Sequence, residues 1–96
     1  MNPEKYTVKY TGRFKKDYKL AVKRGYNIVL LQSVIRDLAA DVSLDPKYRD
    51  HDLSGNYVGH RECHIQPDWL LIYYKDEDIL VLTLTRTGTH GDLFGA

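Results

Sequence analysis

The sequence predicts an α+β fold in which a short strand and a helical hairpin precede a largely antiparallel sheet of three to four strands. Between residues 11 and 40, apolar side chains recur at three- to four-residue spacing, which is typical of amphipathic helices. The second half carries short apolar runs separated by turn-forming residues, which is typical of antiparallel strands. Because the chain has 96 residues, 43% of them hydrophobic, we expect one domain over residues 1–96 with one modest core.

The first elements are a short strand and a basic helix. Residues 6–10 alternate and are rich in β-branched and aromatic side chains, which predicts a strand. Thr11 is a suitable N-cap for a helix over about residues 13–24, because its hydroxyl can accept from a free N–H group of the first turn. Gly25 ends this helix, since glycine readily adopts the left-handed conformation found beyond many helix C-termini.

A second helix is predicted over about residues 28–40, with Asn27 as its N-cap. One face of it carries the aliphatic residues expected in the core, which are Leu31, Val34, Ile35 and Leu38. Residues 41–50 read as a connector, because Asp45-Pro46 disfavours helix. Residues 51–56 are polar and contain a glycine, which predicts a loop.

Three strands are predicted in the remainder of the chain. They cover about residues 57–65, 69–74 and 79–86. The first connection is a turn at Pro67-Asp68, and the second is a four-residue loop over residues 75–78. The last two strands are nearly continuously apolar, as expected for strands covered by helices.

The two loop lengths predict which residues lie opposite each other in the sheet. The predicted pairs are Gln66–Trp69, His64–Leu71, Tyr74–Ile79, Trp69–Leu84 and Asp68–Thr85. In this register the last strand leaves the sheet beside the Pro67-Asp68 turn. We therefore expect one cluster at that end of the sheet, made of His64, Asp68, Trp69, Arg86, His90 and Phe94.

The net charge of +1 conceals an uneven distribution along the chain. Residues 1–40 hold nine Lys/Arg and three Asp/Glu, a balance of +6, whereas residues 41–96 have a balance of −5. A basic surface can face a nucleic-acid backbone, although such charges often form only a solvated helix face. The first helix supplies the candidate RNA-contacting lysines Lys15, Lys16 and Lys19.

The sequence also argues against several classes of protein. No apolar run approaches the roughly 18 residues of a membrane span. The first five residues lack the hydrophobic region of a secretory signal, so we expect a cytoplasmic location and no membrane contact. Cys63 is the only cysteine, which excludes an internal disulfide. The spacings of common metal sites and glycine-rich phosphate loops are absent, so we expect no metal and no cofactor.

The polar cluster contains the groups needed to cut RNA. A base must deprotonate the 2′-hydroxyl, an acid must protonate the leaving 5′-oxygen, and a fixed cation must stabilise the phosphorane. Histidine suits proton transfer near neutral pH, arginine suits phosphate, and an aromatic ring can stack on a base. The candidates are His51, His64, His90, Asp68, Arg86, Trp69 and Phe94.

Each candidate also has a purely structural interpretation. Trp69 can be a core residue, Arg86 can pair with Asp68, and Phe94 can plug the C-terminal end of the core. A histidine in a small protein is often a surface or capping residue. We place His60 on the surface, because no argument draws it into the cluster. Cys63 reads as buried filler, because Cys63 and His64 point to opposite faces of a strand.

Three motifs in this order resemble the YafQ-type toxins of the RelE/ParE superfamily, the toxin halves of bacterial type II toxin–antitoxin pairs. The motifs are Asp50-His51-x-Leu53-x-Gly55, Arg61-Glu62-Cys63-His64-Ile65-x-Pro67-Asp68-Trp69-Leu70-Leu71-Ile72-Tyr73, and Arg86-Thr87-Gly88-Thr89-His90-x-x-Leu93-Phe94. The resemblance is close over residues 50–95 and extends as a pattern over the helical hairpin. It implies the RelE-like α+β fold.

The resemblance also implies a function. Toxins of this kind are ribosome-dependent endoribonucleases that cleave mRNA in the ribosomal A site, without a metal, by attack of the 2′-hydroxyl. The implied catalytic residues are His51, His64, Asp68, Arg86 and His90, while Trp69 and Phe94 would hold the mRNA or shape the site. His90 would be the best general acid or base, and Arg86 would steady the phosphorane; which histidine is acid and which is base stays open.

The implied partners are the ribosome with its 16S rRNA, mRNA, and a RelB/DinJ-like antitoxin that silences the toxin. DNA would be contacted only through the antitoxin. Three alternatives stay open. A ParE-type gyrase inhibitor has the same fold but does not need the histidines; a non-catalytic RNA-binding or interaction module needs only the basic helices; and a ribosome-independent ribonuclease would cut naked RNA.

Overall fold

The computed structural model describes residues 3–95, so the two ends of the domain predicted over 1–96 lie outside the described residues. Five strands and three helices follow each other along the chain. In order they are β1 (Thr7–Tyr10), α1 (Gly12–Lys23), α2 (Ile28–Ala39), β2 (His51–Asp52), β3 (Arg61–Gln66), β4 (Trp69–Asp76), β5 (Val81–Gly88) and α3 (His90–Phe94). Short 3₁₀ turns, Pro46–Tyr48 and Gly55–Tyr57, flank β2.

The strands form one mixed sheet in the order β1-β5-β4-β3-β2. β1 runs parallel to β5, and every other neighbouring pair is antiparallel. The predicted α+β class is confirmed. The described sheet has five strands instead of three to four, because β1 joins it directly and the two-residue β2 extends the other edge.

The helical hairpin has the predicted caps. The hydroxyl of Thr11 accepts from the N–H of Phe14 at 2.9 Å, and the side chain of Asn27 accepts from the N–H of Val29 at 3.1 Å. Gly25 has a φ of 77°, in the left-handed region that ends many helices. Both helices end one residue before the predicted position, because Arg24 and Ala40 are C-caps and not helical residues. The start of α2 at Ile28 is confirmed, whereas α1 starts one residue earlier than predicted, at Gly12.

Both faces of the sheet are covered. The helices α1 and α2 pack on one face around a core that includes Trp69, Tyr73 and Leu82. On the other face, Leu70 and Ile72 pack against Leu93 of α3. This two-sided cover explains why β4 is apolar at consecutive positions and not only at alternate ones. Within residues 3–95, no helix is long and apolar enough to cross a membrane.

The segment before β3 differs from the prediction. The strand expected over residues 57–65 begins only at Arg61, because Tyr57 ends a 3₁₀ turn and Gly59 has a φ of 87° that interrupts extended backbone. The loop predicted over residues 51–56 contains β2, in which His51 lies opposite Glu62. The prediction failed here because a two-residue strand has no periodicity to detect.

The turn between β3 and β4 is close to the prediction. Gln66 lies opposite Trp69, as predicted for a two-residue turn at Pro67-Asp68. His64 lies opposite Leu70 and not Leu71, because a bulge separates the His64 and Gln66 pairs. The His64–Leu71 pairing was therefore wrong by one residue.

The register between β4 and β5 was wrong by a larger amount. Tyr74 lies opposite Thr83 and not Ile79, and Asp76 and Val81 form the last pair before the turn. The loop has the predicted length of four residues but sits two positions later. Asp76 stabilises it there, because its Oδ1 accepts from the N–H groups at positions 78 and 79, at 3.0 and 3.3 Å.

The shifted register changes which residues reach the Pro67-Asp68 turn. The predicted Trp69–Leu84 and Asp68–Thr85 pairs do not form, since Leu84 pairs with Tyr73. Arg86 lies opposite Ile72, well inside the strand, and Gly88 lies opposite Leu70. The chain therefore leaves the sheet at Gly88, beside the Pro67-Asp68 turn. The first turn of α3 follows immediately.

Candidate active site

Three imidazole rings form a row along one end of the sheet. His51 comes from β2, His64 from β3 and His90 from the first turn of α3. The ring centroids of His51 and His64 are 6.2 Å apart, and those of His64 and His90 are 5.8 Å apart. The predicted proximity of His64 and His90 is confirmed. His51 joins them because β2 pairs with β3.

Asp68, in the turn between β3 and β4, contacts His90 at two points. Its Oδ1 accepts from the backbone N–H of His90 at 3.0 Å and lies 2.7 Å from the ring Nδ1. These hydrogen bonds lower the pKa of Asp68, so its carboxylate is charged at neutral pH. Because a carboxylate accepts, Nδ1 carries a proton and Nε2 is left to exchange a proton with a substrate.

Glu62 is a buried carboxylate between two of these histidines, and it was missing from the predicted site. Only 4% of the residue is exposed. Its Oε1 lies 3.5 Å from Nε2 of His51 and 3.5 Å from Nε2 of His64. Its Oε2 is buried and has no hydrogen-bond partner among residues 3–95. The sequence does contain one indication that Glu62 lies near His64, because residues 62 and 64 share one face of a strand.

Backbone carbonyls orient His51 and His64 toward this carboxylate. Nδ1 of His51 lies 2.7 Å from the carbonyl oxygen of Arg49, and Nδ1 of His64 lies 3.3 Å from that of Pro67. Because carbonyls only accept, each Nδ1 is the donor and each Nε2 of a neutral ring faces Glu62 as an acceptor. Three acceptor atoms, the two Nε2 atoms and Oε1 of Glu62, therefore face one another. The ligand atoms of His51, Glu62 and His64 lie within 4.8 Å of one another, close enough to hold a metal ion.

Phe94 continues the row at its exposed end. The residue is 49% exposed, and its ring centroid lies 6.5 Å from that of His90. Tyr57 supports the ring edge-on at 6.0 Å. An exposed aromatic ring of this kind is suited to stacking on an RNA base. The buried position at this end of the chain is occupied by Leu93 instead.

Trp69 lies in the main core, on the face of the sheet that α1 and α2 cover. It is 2% exposed, its Nε1 donates to the hydroxyl of Thr87 at 2.9 Å, and its ring packs on Tyr26 at 4.9 Å. The hydroxyl of Thr87 in turn donates to the carbonyl of Leu70 at 2.6 Å. A ring with no exposed face cannot stack on RNA in this conformation. The geometry favours the core interpretation of Trp69.

Arg86 is bound to α1 and not to Asp68. Its guanidinium makes two hydrogen bonds to the carboxylate of Asp17, both at 2.9 Å, and the N–H of Thr87 donates to the same carboxylate at 3.2 Å. Asp17 raises the pKa of Arg86 above its already high value, so the charge is permanent. The expected position of Arg86 beside the Pro67-Asp68 turn was wrong, because it depended on the wrong register.

The surroundings of Cys63 and His60 indicate structural roles for both residues. Cys63 is completely buried, and burial raises the pKa of its thiol, which agrees with its predicted role as filler. His60 was expected on the surface, but it is half-buried between the rings of Tyr57 and Tyr74, at 5.9 and 5.7 Å. Its Nδ1 is buried without a partner among the described residues.

The basic face of α1 is exposed. Lys15, Lys16 and Lys19 are all exposed, and Lys15 also lies over the ring of Tyr10 at 5.3 Å. These lysines are on a helix that packs against β5, whereas the histidine row lies where β2, β3 and α3 meet. The three lysines therefore lie on a different element from the three histidines.

One family model matches nearly the whole chain. Residues 6–95 match the model described as "Bacterial toxin of type II toxin-antitoxin system, YafQ". The chain is 39% identical over 89 residues to the mRNA interferase toxin YafQ of Escherichia coli K12, covering 92% of this chain and 95% of the relative. It is 36% identical over 69 residues to the putative toxin YafQ of Haemophilus influenzae, covering 69% of this chain and 68% of the relative.

Solved structures are similar over the same extent. A chain of the E. coli DinJ-YafQ toxin-antitoxin complex has a TM-score of 0.87 and 38% identity, covering 95% of this chain and 99% of that chain. A metal-bound toxin from Helicobacter pylori has a TM-score of 0.88 and 42% identity, covering 93% of this chain and 99% of that chain. These structures therefore match nearly the whole chain.

Proposed function

The chain belongs to the YafQ family of toxins from bacterial type II toxin–antitoxin systems, and we propose that it is a ribosome-dependent endoribonuclease that cleaves mRNA in the ribosomal A site. One observation carries this proposal. His51, His64 and His90 form a continuous row, in which Glu62 faces the first two rings and Asp68 fixes the third. Such a row can accept one proton and donate another within the span of one phosphodiester group.

The proposed reaction is attack of the 2′-oxygen on the adjacent phosphorus. The new O2′–P bond forms as the P–O5′ bond breaks, leaving a 2′,3′-cyclic phosphate and a 5′-hydroxyl. The proton of the 2′-hydroxyl passes to the base, and the leaving 5′-oxygen takes a proton from the acid. His90 performs one of these transfers, and the unit formed by His51, Glu62 and His64 performs the other.

Two further residues have proposed roles around this reaction. Phe94 stacks on a base of the mRNA, which its exposed ring beside His90 permits. Arg86 steadies the phosphorane charge, but its guanidinium is occupied by Asp17 in the free protein. Direct contact with the phosphate therefore requires this ion pair to open when mRNA binds.

The proposed partners follow from family membership and charge. The similar E. coli toxin YafQ has been solved in a complex with DinJ. We propose that a DinJ-like antitoxin silences this toxin. The exposed lysines Lys15, Lys16 and Lys19 contact 16S rRNA, and any contact with DNA is made through the antitoxin. The chain acts in the cytoplasm as a single toxin domain.

A metal ion is proposed as a competitor of the reaction and not as its cofactor. A relative from H. pylori is a metal-bound toxin, and here two imidazole nitrogens and a carboxylate oxygen form a group that suits zinc or copper. A metal bound to His51 and His64 would occupy the Nε2 lone pairs that the proton transfer needs. Metal binding and RNA cleavage at this cluster would then exclude each other.

Inducible expression in bacteria, with mapping of mRNA 5′ ends, tests the proposed function. The chain should produce new ends inside translated codons, and His90→Ala should reduce them by about 10²- to 10⁴-fold. Gln32→Ala, an exposed change on α2, is the matched control and should cut like the unaltered chain. Growth arrest without new mRNA ends would refute the proposal and favour a gyrase-directed toxin. If a folded chain causes neither growth arrest nor cleavage, the result would favour a non-catalytic interaction module. In a separate assay, cleavage of purified RNA without ribosomes would refute ribosome dependence.

A further inference from the structure

A cleft of about 480 Å³ opens beside His64, which forms part of its wall. It lies between the first turns of α2, the Pro46–Tyr48 turn and the end of β3. Leu30 and Ile65 give it apolar surface. Its volume lies in the range of small-ligand sites. Because His64 belongs both to the histidine row and to the cleft wall, the two are continuous.

The remaining wall of the cleft is polar and basic. Lys47, Arg49 and Gln66 line it and are exposed. Within residues 3–95, none of their side chains forms an ion pair or a hydrogen bond to the protein, so their polar groups are available to a ligand. Arg49 also connects cleft and row directly, because its carbonyl oxygen receives Nδ1 of His51.

We propose that this cleft binds the nucleotide next to the scissile phosphate and that Gln66 selects its base. The inference rests on the proposed function, since it requires a phosphate at the histidine row. The Gln66 amide both donates and accepts, so it can distinguish the hydrogen-bonding edges of the four bases. The Lys47 and Arg49 cations contact the adjoining phosphate, and the apolar wall packs against the face of the base.

An RNA ligand fits these groups better than an acidic protein segment does. An acidic segment would use the two cations but would have no need of an amide beside His64. A nucleotide uses the amide, the cations and the apolar wall together. Gln66 is therefore assigned as a specificity-determining residue, outside the proton-transfer groups.

Comparison of cleavage sites in cells tests this assignment. Gln66→Ala, Gln66→Glu and the control Gln32→Ala are expressed, and mRNA 5′ ends are mapped across many transcripts. For the Gln66 variants, the base frequencies at one position beside the cut should change by about tenfold relative to those of the unaltered chain. Gln66→Glu should enrich cytosine there, because a carboxylate accepts from the amino group of cytosine. Gln32→Ala should preserve the original frequencies.

The outcomes separate this inference from the proposed function. If the unaltered chain cuts no mRNA, the proposed function fails and the base-selecting cleft fails with it. If the chain cuts and both Gln66 variants keep its base frequencies, only the cleft assignment is overturned. Variants that keep those frequencies but escape a co-expressed DinJ-type antitoxin would instead assign the cleft to the antitoxin.

Direct binding provides a second measurement that does not depend on the ribosome. The ¹⁵N-labelled toxin carrying His90→Ala is titrated with AMP, GMP, CMP and UMP, and the side-chain amide signals are followed. The Gln66 signal should move with at least one nucleotide, while the Gln32 signal should stay in place. Loss of the Gln66 shift in an Arg49→Ala background would support phosphate contact. Identical small shifts with all four nucleotides would overturn base selection by Gln66.

Discussion

Asp68 and His90 are joined by two contacts to the same carboxylate oxygen, one from the backbone N–H and one from the ring Nδ1. The pair ties the β3–β4 turn to the first turn of α3, 22 residues later in the chain. It also fixes the proton of the imidazole on Nδ1, so that Nε2 is directed away from the carboxylate. A positioned imidazole of this kind is the recurring arrangement of general acid–base catalysis.

Removal of the Asp68 carboxylate should slow cleavage through loss of this orientation. We expect Asp68→Ala to reduce the cleavage rate by about 10- to 100-fold and Asp68→Asn by less, because an amide oxygen can still accept from Nδ1. In a reconstituted translation reaction, Asp68→Ala combined with His90→Ala should be no slower than His90→Ala alone. Additive losses would show that Asp68 acts independently of the ring.

Glu62 should matter to the reaction although it was not among the predicted residues. Glu62→Gln keeps the size of the side chain but removes the charge that faces His51 and His64. We expect the cleavage rate to fall by about 10²-fold. The midpoint of thermal unfolding should change little. Asp52→Asn, an exposed carboxylate on β2, is the control and should cut normally. Full activity of Glu62→Gln would exclude a role in proton transfer.

The contrast between Glu62 and Thr11 explains which parts of the molecule the sequence predicts. Thr11 caps a helix through a contact three residues away, so local spacing identifies it. Glu62 becomes significant only when the short β2 brings His51 opposite it, a pairing with no periodic signal. The Arg86–Asp17 pair is 69 residues apart in the chain and depends on the β4–β5 register. The hydrogen bonds accepted by Asp76 stabilise the β4–β5 loop two positions later than predicted. The length of the loop alone does not reveal this shift.

The Arg86–Asp17 pair should contribute to stability, because each side chain is only about a tenth exposed, 12% and 11%. Asp17→Ala leaves the guanidinium poorly solvated without its partner and should lower the free energy of unfolding by about 3 kcal/mol in urea denaturation. The double variant with Arg86→Ala should be less destabilised than the sum of the single changes. Lys5→Ala, which breaks an exposed pair with Asp41, should have little effect. Additive effects at positions 17 and 86 would exclude this coupling.

Acid should weaken the attachment of α3 to α1. Arg24 binds both carboxylate oxygens of Asp92, at 2.6 and 3.2 Å, and holds the pKa of Asp92 well below its usual range. A depressed pKa in the folded state stabilises the protein above the unfolded value of about 4, and this contribution is lost as pH falls below it. The midpoint of thermal unfolding of Arg24→Ala should therefore be lower than that of the unaltered chain at pH 7. The difference between the two midpoints should shrink toward pH 2. Arg36→Ala, an exposed change on α2, should show no such convergence.

Zinc should inhibit cleavage, and its removal should leave cleavage intact. A zinc ion held by Nε2 of His51 and His64 and by Glu62 would block both nitrogens, whereas the proposed reaction uses only protons and side-chain charge. In a reconstituted translation reaction, micromolar zinc should lower the cleavage rate, and a zinc-selective chelator, which leaves the ribosomal magnesium in place, should restore it fully. Glu62→Gln should bind zinc more weakly by calorimetry, while Asp52→Asn should bind it normally. If the chelator abolished cleavage and zinc restored it, the metal would be a cofactor and the proposed proton-transfer roles of His51 and His64 would be wrong.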